Sequence, residues 1–145
     1  MRKKRGIGVG KINGPGGKID PGETALAGAI RETREEVCVT PRELTLAGRN
    51  RFQFTDGGAI DVATFRAGAC DGEAKATPEA DPFWVPLAQI PYAEMWEDDA
   101  LWLPHLLAGR EFSGRYLFDG DRMLDWAIEL NARTPSRAIT AARPT

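Results

Sequence analysis

Glu32, Glu35 and Glu36 form the densest group of chemically useful side chains in the sequence. On a helix turning 100° per residue they fall within one arc of about 100°. Glu32 and Glu36 are i,i+4 neighbours, and like charges at that spacing destabilise a helix by a few tenths of a kcal/mol. Arg31 can reach Glu35, yet no lysine lies among the acids, so an excess of negative charge remains. Such a cluster becomes favourable when it holds a hard divalent cation, because Mg²⁺ takes oxygen ligands and shares them with substrate phosphates. For a bare E-x-x-E-E a solvated acidic face is the simpler reading, and the flanking residues must decide.

A second group is MWEDDALW, Met95 to Trp102, where Asp98 and Asp99 adjoin each other between Trp96 and Trp102. Aspartate is a favoured helix N-cap. Two carboxylates in an apolar setting cannot both ionise easily, so one pKa should rise. The pair is therefore either a helix start facing solvent or part of a site.

These residues need elements to position them. The chain has 145 residues, is 42% hydrophobic and 28% charged, and carries a formal net charge of -2, which fits one globular domain without bias toward nucleic acid or anionic membranes. No apolar run approaches a membrane span. The basic start, MRKKRGIGVG, lacks the apolar core of a secretory signal. Cys38 and Cys70 are far apart and read as free thiols in a reducing cytoplasm, and His105 alone cannot make a histidine metal site. Alternation in residues 6–10 suggests a strand followed by a loop. A helix is expected over about 24–38, with Leu26, Ala29, Ile30, Thr33 and Val37 as its buried stripe. Residues 43–54 read as a strand bent near Gly48. Asp56-Gly57-Gly58 is a hairpin turn and 59–68 the return strand. A polar loop (71–82), a short strand (83–87), a short helix (100–108) and a final hairpin (111–118 with 122–130) follow. Trp84, Trp102, Trp126, Tyr92 and Phe112 read as core. Residues 1–131 thus make a single domain, and 132–145 a mobile tail with little to pack.

The stretch GGKIDPGETALAGAIRETREEVCV resembles the Nudix box, G-x5-E-x7-R-E-U-x-E-E-x-G-U, with U a bulky apolar residue. Gly17, Glu23, Arg31, Glu32, Glu35 and Glu36 fall at its spacing, and Val39 fills the last apolar place. Thr33 stands at the first U. Cys38 replaces the final glycine, so the loop after the helix is expected to be shaped differently. The similarity runs from about Lys3 to Leu130 and is to the branch of oxidised purine nucleoside triphosphatases. It implies an α+β Nudix fold, an α/β/α sandwich with a mixed β-sheet. Nudix folds begin with a strand that precedes the KKRG turn, and this chain starts at that turn, so the fold is expected to lack the first strand.

By the same resemblance Glu32, Glu35 and Glu36 bind Mg²⁺, or Mn²⁺ in its place, joined by the Gly16 carbonyl and by Glu79 of the loop ATPEAD. The base is Glu36 or Glu79, with Glu35 also in the catalytic set. Glu23 and Arg31 brace the glycine loop against the helix. Gly14, Gly16 and Gly17 allow close backbone approach. Lys3 lies near the nucleotide, with Lys18 as a further cation. Asn13, Asp98 and Asp99 meet the purine edge, Trp96 and Ile7 form walls, and Phe52 and Ile60 add lining. An ionised and a protonated aspartate together offer an acceptor and a donor, and so could take more than one purine tautomer. Ile12 and Pro15 replace aromatics of the family, so the pocket floor differs. The reaction implied releases a nucleoside monophosphate and pyrophosphate, the partner being a small nucleotide rather than nucleic acid or membrane. The protein is expected to be a monomer, with edge-strand pairing or a dimer if the first strand is absent. The alternatives are a Nudix hydrolase of another nucleotide such as ADP-ribose, and a non-catalytic nucleotide-binding domain.

Overall fold

The computed structural model describes residues 1–131; the expectation for 132–145 lies outside them. Four strands form a mixed sheet: β2 (Thr40–Phe54), β3 (Ala59–Asp71), β5 (Phe112–Asp119) and β6 (Arg122–Leu130), in the order β3-β2-β5-β6. β2 runs antiparallel to β3 and parallel to β5, and β5 and β6 form the closing hairpin. β1 (Arg2–Lys3) and β4 (Ala80–Asp81) make a separate two-stranded antiparallel sheet. Helix α1 (Ala25–Val37) packs on β2 and β3, and α2 (Asp99–Leu107) on β5. The core lies between α2 and one face of the central strands. Phe112, Tyr116 and Phe118 are buried at alternate positions of β5, with Trp102 of α2 stacked on Phe112 at 5.4 Å between centroids. Among the described residues no helix is long and apolar enough to cross a membrane.

The long strand pair is as its sequence requires. The Asp56-Gly57-Gly58 turn closes it, with Asp56 Oδ1 accepting from the Gly58 amide at 2.9 Å. The bend expected near Gly48 is a register shift between Leu46 and Gly48. Helix α1 begins at the cap residue Thr24, whose side chain accepts from the Ala27 amide at 3.1 Å.

Several expectations are corrected. Residues 6–10 are turns, not a strand. Gly6, Gly8 and Gly10 all take positive φ, which an extended strand does not allow. The chain enters that turn from β1, which is two residues long and pairs with β4 outside the four-stranded sheet. Residues 83–87 pair with nothing, because Pro82 and Pro86 withhold amide donors on either side, and Trp84 is 78% exposed rather than core. Trp126 is also exposed: it pairs with Tyr116 on the buried face, but β6 is the edge strand of the sheet. Leu26 leaves the buried stripe of α1, and Gly28 enters it.

The loop after α1 is not reshaped. Cys38 adopts the left-handed conformation that glycine would supply, with φ 63° and ψ 19°, and its amide donates to the Arg34 carbonyl. A side chain in that region is strained by Cβ crowding. Cys38→Gly is therefore expected to stabilise the protein by about 0.5–1 kcal/mol, after the greater flexibility of glycine in the unfolded chain is subtracted. Urea unfolding midpoints of the two proteins check this.

Candidate active site

The acidic face of α1 meets the glycine loop at residues 14–17. Glu36 is buried, its Oε1 accepts from the Gly16 amide at 3.3 Å, and Glu32 presses on it from one helical turn away. Desolvation raises the Glu36 pKa to about 7; the Gly16 amide opposes it, the Glu32 carboxylate adds to it, and Lys3 lowers it slightly. Gly17 lies against Glu32: a Cβ there would come within 2.6 Å of Glu32 Oε1. The loop thus approaches the carboxylates as closely as glycine permits.

Arg31 fastens the loop to the helix. Its Nε and one terminal nitrogen grip both oxygens of Glu23 at 2.8 and 2.9 Å, and the latter nitrogen also donates to the Lys18 carbonyl at 2.9 Å. The other terminal nitrogen reaches Glu32 Oε1 at 2.9 Å and Glu35 Oε2 at 3.2 Å. The guanidinium hydrogen bonds hold the Glu23 pKa down to about 2. Gly28 gives Glu23 room, since a Cβ there would stand 2.9 Å from its carboxylate. Lys18 enters this arrangement through its backbone carbonyl.

Gly17→Ala should test that close approach. The clash falls on the mobile end of Glu32, so the fold should survive while the carboxylate is displaced. Thermal stability is expected to change little, and kcat for whatever the site turns over to fall by about 10–100-fold.

Glu79 is held elsewhere. Arg5 pairs with its carboxylate and lowers its pKa. Its loop is anchored beside the α1 cluster by Thr77, whose hydroxyl donates to the Glu36 carbonyl at 2.7 Å, and by the Lys75 amide donating to the Val37 carbonyl at 3.1 Å. Lys3 lies close enough to lower the pKa of both Glu36 and Glu79. Neither Thr77 nor Arg5 carries a periodic or motif signal; only the fold brings them to the site. Among the described residues no three acidic, histidine or cysteine side chains stand already arranged around one point. The donor set still suits a hard cation. Glu32 and Glu36 form a crowded all-oxygen pair in which a proton or a cation relieves the repulsion, and Arg31 occupies one oxygen each of Glu32 and Glu35.

The second group of residues also assembles. Asp98 and Asp99 are 3% and 4% exposed at the start of α2, in contact with the core rather than solvent. Asp98 makes no capping bond; its Oδ2 accepts from Trp102 Nε1 at 2.7 Å. Burial raises the pKa of both, that of Asp99 to about 7, with the Asp98 charge as the second cause. Trp96 stands edge-on to Phe118 at 5.8 Å, with Lys11 over its ring at 5.1 Å and Gly8 packed on its indole, where a Cβ would fall 2.9 Å from Nε1. Phe52 stacks on Tyr116 at 5.1 Å, and Ile60 pairs with Phe52 across β2 and β3 while remaining 42% exposed. Asn13 is fixed through its backbone and accepts from the Gly14 amide with Oδ1 at 2.9 Å. Ile7 is 68% exposed, and its neighbour Gly8 packs on Trp96. Lys11, Gly8 and Asn50 were not legible as site residues.

The chain resembles known proteins in sequence and in fold. The NUDIX domain pattern matches residues 1–106. The chain is 41% identical over 119 residues to an oxidized purine nucleoside triphosphate hydrolase of Danio rerio, covering 81% of this chain and 76% of that protein. It is 39% identical over 128 residues to the Mus musculus protein of the same name, covering 87% and 82%. A crystal structure of the mutator MutT protein from Bacillus halodurans superposes with a TM-score of 0.72 at 26% identity, over 79% of this chain and 80% of that one.

Proposed function

The chain belongs to the NUDIX family, and from that premise we infer that it is a hydrolase of oxidised purine nucleoside triphosphates, cutting them to the monophosphate and pyrophosphate. The observation that supports the substrate class is the buried Asp98–Asp99 pair at the start of α2, close to Tyr116, because buried carboxylates there would read the edge of a base. The relatives' printed names support the same class.

Glu32, Glu35 and Glu36, with the Gly16 carbonyl and Glu79, would hold Mg²⁺, or Mn²⁺ in its place. A bound divalent cation supplies charge neutralisation at the phosphates and a water acidified enough to attack. The remaining work falls to the chain. Glu36, buried beside Glu32 and the Gly16 amide, would take a proton from the attacking water. Glu79 is the other candidate base; in this structure its pKa is lowered by Arg5, which favours Glu36. Arg31 and Glu23 keep the glycine loop on the helix, and Gly17 keeps backbone against carboxylate. Lys3 brings a cation to the phosphate side. Trp96 offers a stacking face, and Asn13, Asp98 and Asp99 offer hydrogen-bonding groups to the purine edge. The free, exposed thiols of Cys38 and Cys70 suit a reducing cytoplasm, and the protein acts as a monomer in this reading.

A panel of 8-oxo-dGTP, 2-hydroxy-dATP, dGTP and ADP-ribose with Mg²⁺ tests it. The two oxidised purines should be turned over with kcat/KM well above that of dGTP. Preference for ADP-ribose would replace the substrate, and turnover of none would leave a nucleotide-binding domain.

A further inference from the structure

The four-stranded sheet carries a cleft on the face turned away from the buried aromatics of β5. Phe112, Gly114, Tyr116 and Phe118 alternate with the exposed residues Ser113 and Arg115, so those two point to the other face. β2 alternates in the same register. Asn50 is buried, its Oδ1 accepting from the Tyr116 hydroxyl at 3.2 Å, while Arg49 and Arg51 are exposed on the far face. Ile19 of the glycine loop and Ala25 of the first turn of α1 wall a cleft of about 590 Å³ there, lined also by Arg49, Arg51, Ser113 and Arg115. That volume suits a small ligand. Ala25 lies about 10 Å along the helix from Glu32, so the cleft is separate from the acidic cluster of α1.

The cleft gathers cations. Arg51 stands directly opposite Arg115 in the parallel register, and Arg49 is opposite Ser113, the next place on the same face. Like charges directly opposite each other destabilise a sheet. Two carboxylates line the same cleft. Asp61 of β3 is taken by Arg51, whose Nη1 donates to its two oxygens at 2.9 and 2.7 Å. Glu129 of β6 stands opposite Ser113, and among the described residues neither it nor any other carboxylate forms an ion pair with Arg49 or Arg115. Two guanidinium groups on adjacent strands are thus left to one space.

We propose that this cleft is a second ligand site, binding a phosphoanhydride, with Arg49 and Arg115 each taking one phosphoryl group. A guanidinium presents a planar fork of donors that matches two oxygens of a phosphate. Diagonal neighbours on adjacent strands have Cα atoms about 8 Å apart, which puts both long side chains within reach of one diphosphate. A bound anion also offsets the repulsion between Arg51 and Arg115. Ser113, between the two strands' arginines, offers a hydroxyl, and Ile19, Ala25 and Ala63 offer an apolar wall. The anion arrives either as free pyrophosphate or as the phosphate tail of a nucleoside triphosphate; the recognising chemistry is the same. The binding groups here are cations, so this site needs no divalent metal, whereas the carboxylates of α1 repel phosphate until a metal neutralises them. The proposal stands apart from the oxidised-purine reading.

Titration of the whole chain with pyrophosphate in EDTA, followed by amide NMR, tests it. The shifts should saturate and be largest at Arg49, Ser113 and Arg115. Inorganic phosphate, which engages one guanidinium, should bind at least about tenfold more weakly. Arg49→Gln and Arg115→Gln should each weaken pyrophosphate binding by about tenfold or more. Their spectra outside the cleft should superpose on that of wild type, showing that the fold is kept. Arg122→Gln removes the same charge outside the cleft and should leave the affinity within about twofold. Titration with dGTP in EDTA separates the two sources. Tighter binding than pyrophosphate assigns the cleft to the nucleotide tail, and equal or weaker binding assigns it to free pyrophosphate. Shifts that stay linear, or that centre on the acidic face of α1, overturn the site. So does an affinity that Arg49→Gln and Arg115→Gln leave unchanged, or that Arg122→Gln lowers as much as they do.

Discussion

Replacing Glu36 by glutamine should lower kcat by about 10³-fold or more while making the metal-free protein more stable at pH 8. The first effect follows from the placement of Glu36 as base and cation ligand, since a positioned general base alone contributes about 10²–10⁴-fold. The second follows from its burial. An acid whose folded pKa lies above its unfolded value binds its proton more tightly in the folded state. Its ionisation therefore costs no stability below the unfolded value of 4.5, and weakens the fold as pH rises toward the folded value of about 7. The difference between wild type and Glu36→Gln should be small at pH 4 and reach about 2–3 kcal/mol at pH 8. Mg²⁺ should reverse it, raising the wild-type melting temperature at pH 8 and leaving that of the variant nearly unchanged. Melting curves at the two pH values, with and without EDTA, give the answer. A variant less stable than wild type at pH 8 without metal would show that Glu36 is held as a favourable anion.

The second large effect is expected at Asp99. Asp99→Asn should cost about 100-fold in kcat/KM for oxidised purine triphosphates, most of it in KM, because a site built on buried polar groups discriminates steeply when one is changed. The wild-type kcat/KM should change near pH 7 through both Glu36 and Asp99, and the variant should keep only the Glu36 contribution, so its profile should narrow to a single transition. The stability sign is the same as at Glu36. The folded pKa of about 7 stands above the model 3.8, so ionisation weakens the fold between those values. The variant should match wild type at pH 4 and exceed it by about 2–4 kcal/mol at pH 8. A pH–rate profile and a pair of denaturant titrations measure both. An unaltered profile in Asp99→Asn would remove Asp99 from base recognition.

The two carboxylate groups share a physical design. Each pairs two acids where water is scarce, so each holds a proton near neutral pH until something better occupies the site. In the proposed reading the replacement at Glu36 is a cation, and at Asp99 the edge of a base.

The sequence by itself determined a good deal. The spacing of Gly17, Glu23, Arg31, Glu32, Glu35 and Glu36 carried the helix and the loop brace, because these interactions span at most about four helical turns. The Asp-Gly-Gly turn and the closing stretch 111–130 carried the two hairpins, since hairpin registers are local; the parallel pairing of β2 with β5 that joins them is not. Tertiary structure decided the rest. Whether Asp98 and Asp99 cap a helix in solvent or lie buried depends on Phe112, Tyr116 and Phe118 beneath them, which arrive from β5. Trp84 and Trp126 read as core from their type alone, and are exposed because nothing in the described fold covers them. Residues 6–10 alternate like a strand and turn instead, because three glycines at positive φ leave the extended region. The capture of Glu79 by Arg5, the Thr77 anchor on Glu36 and the Asn50–Tyr116 pair join residues 41 to 74 positions apart. No local pattern encodes contacts at that separation; the packing of the sheet and the two helices creates them.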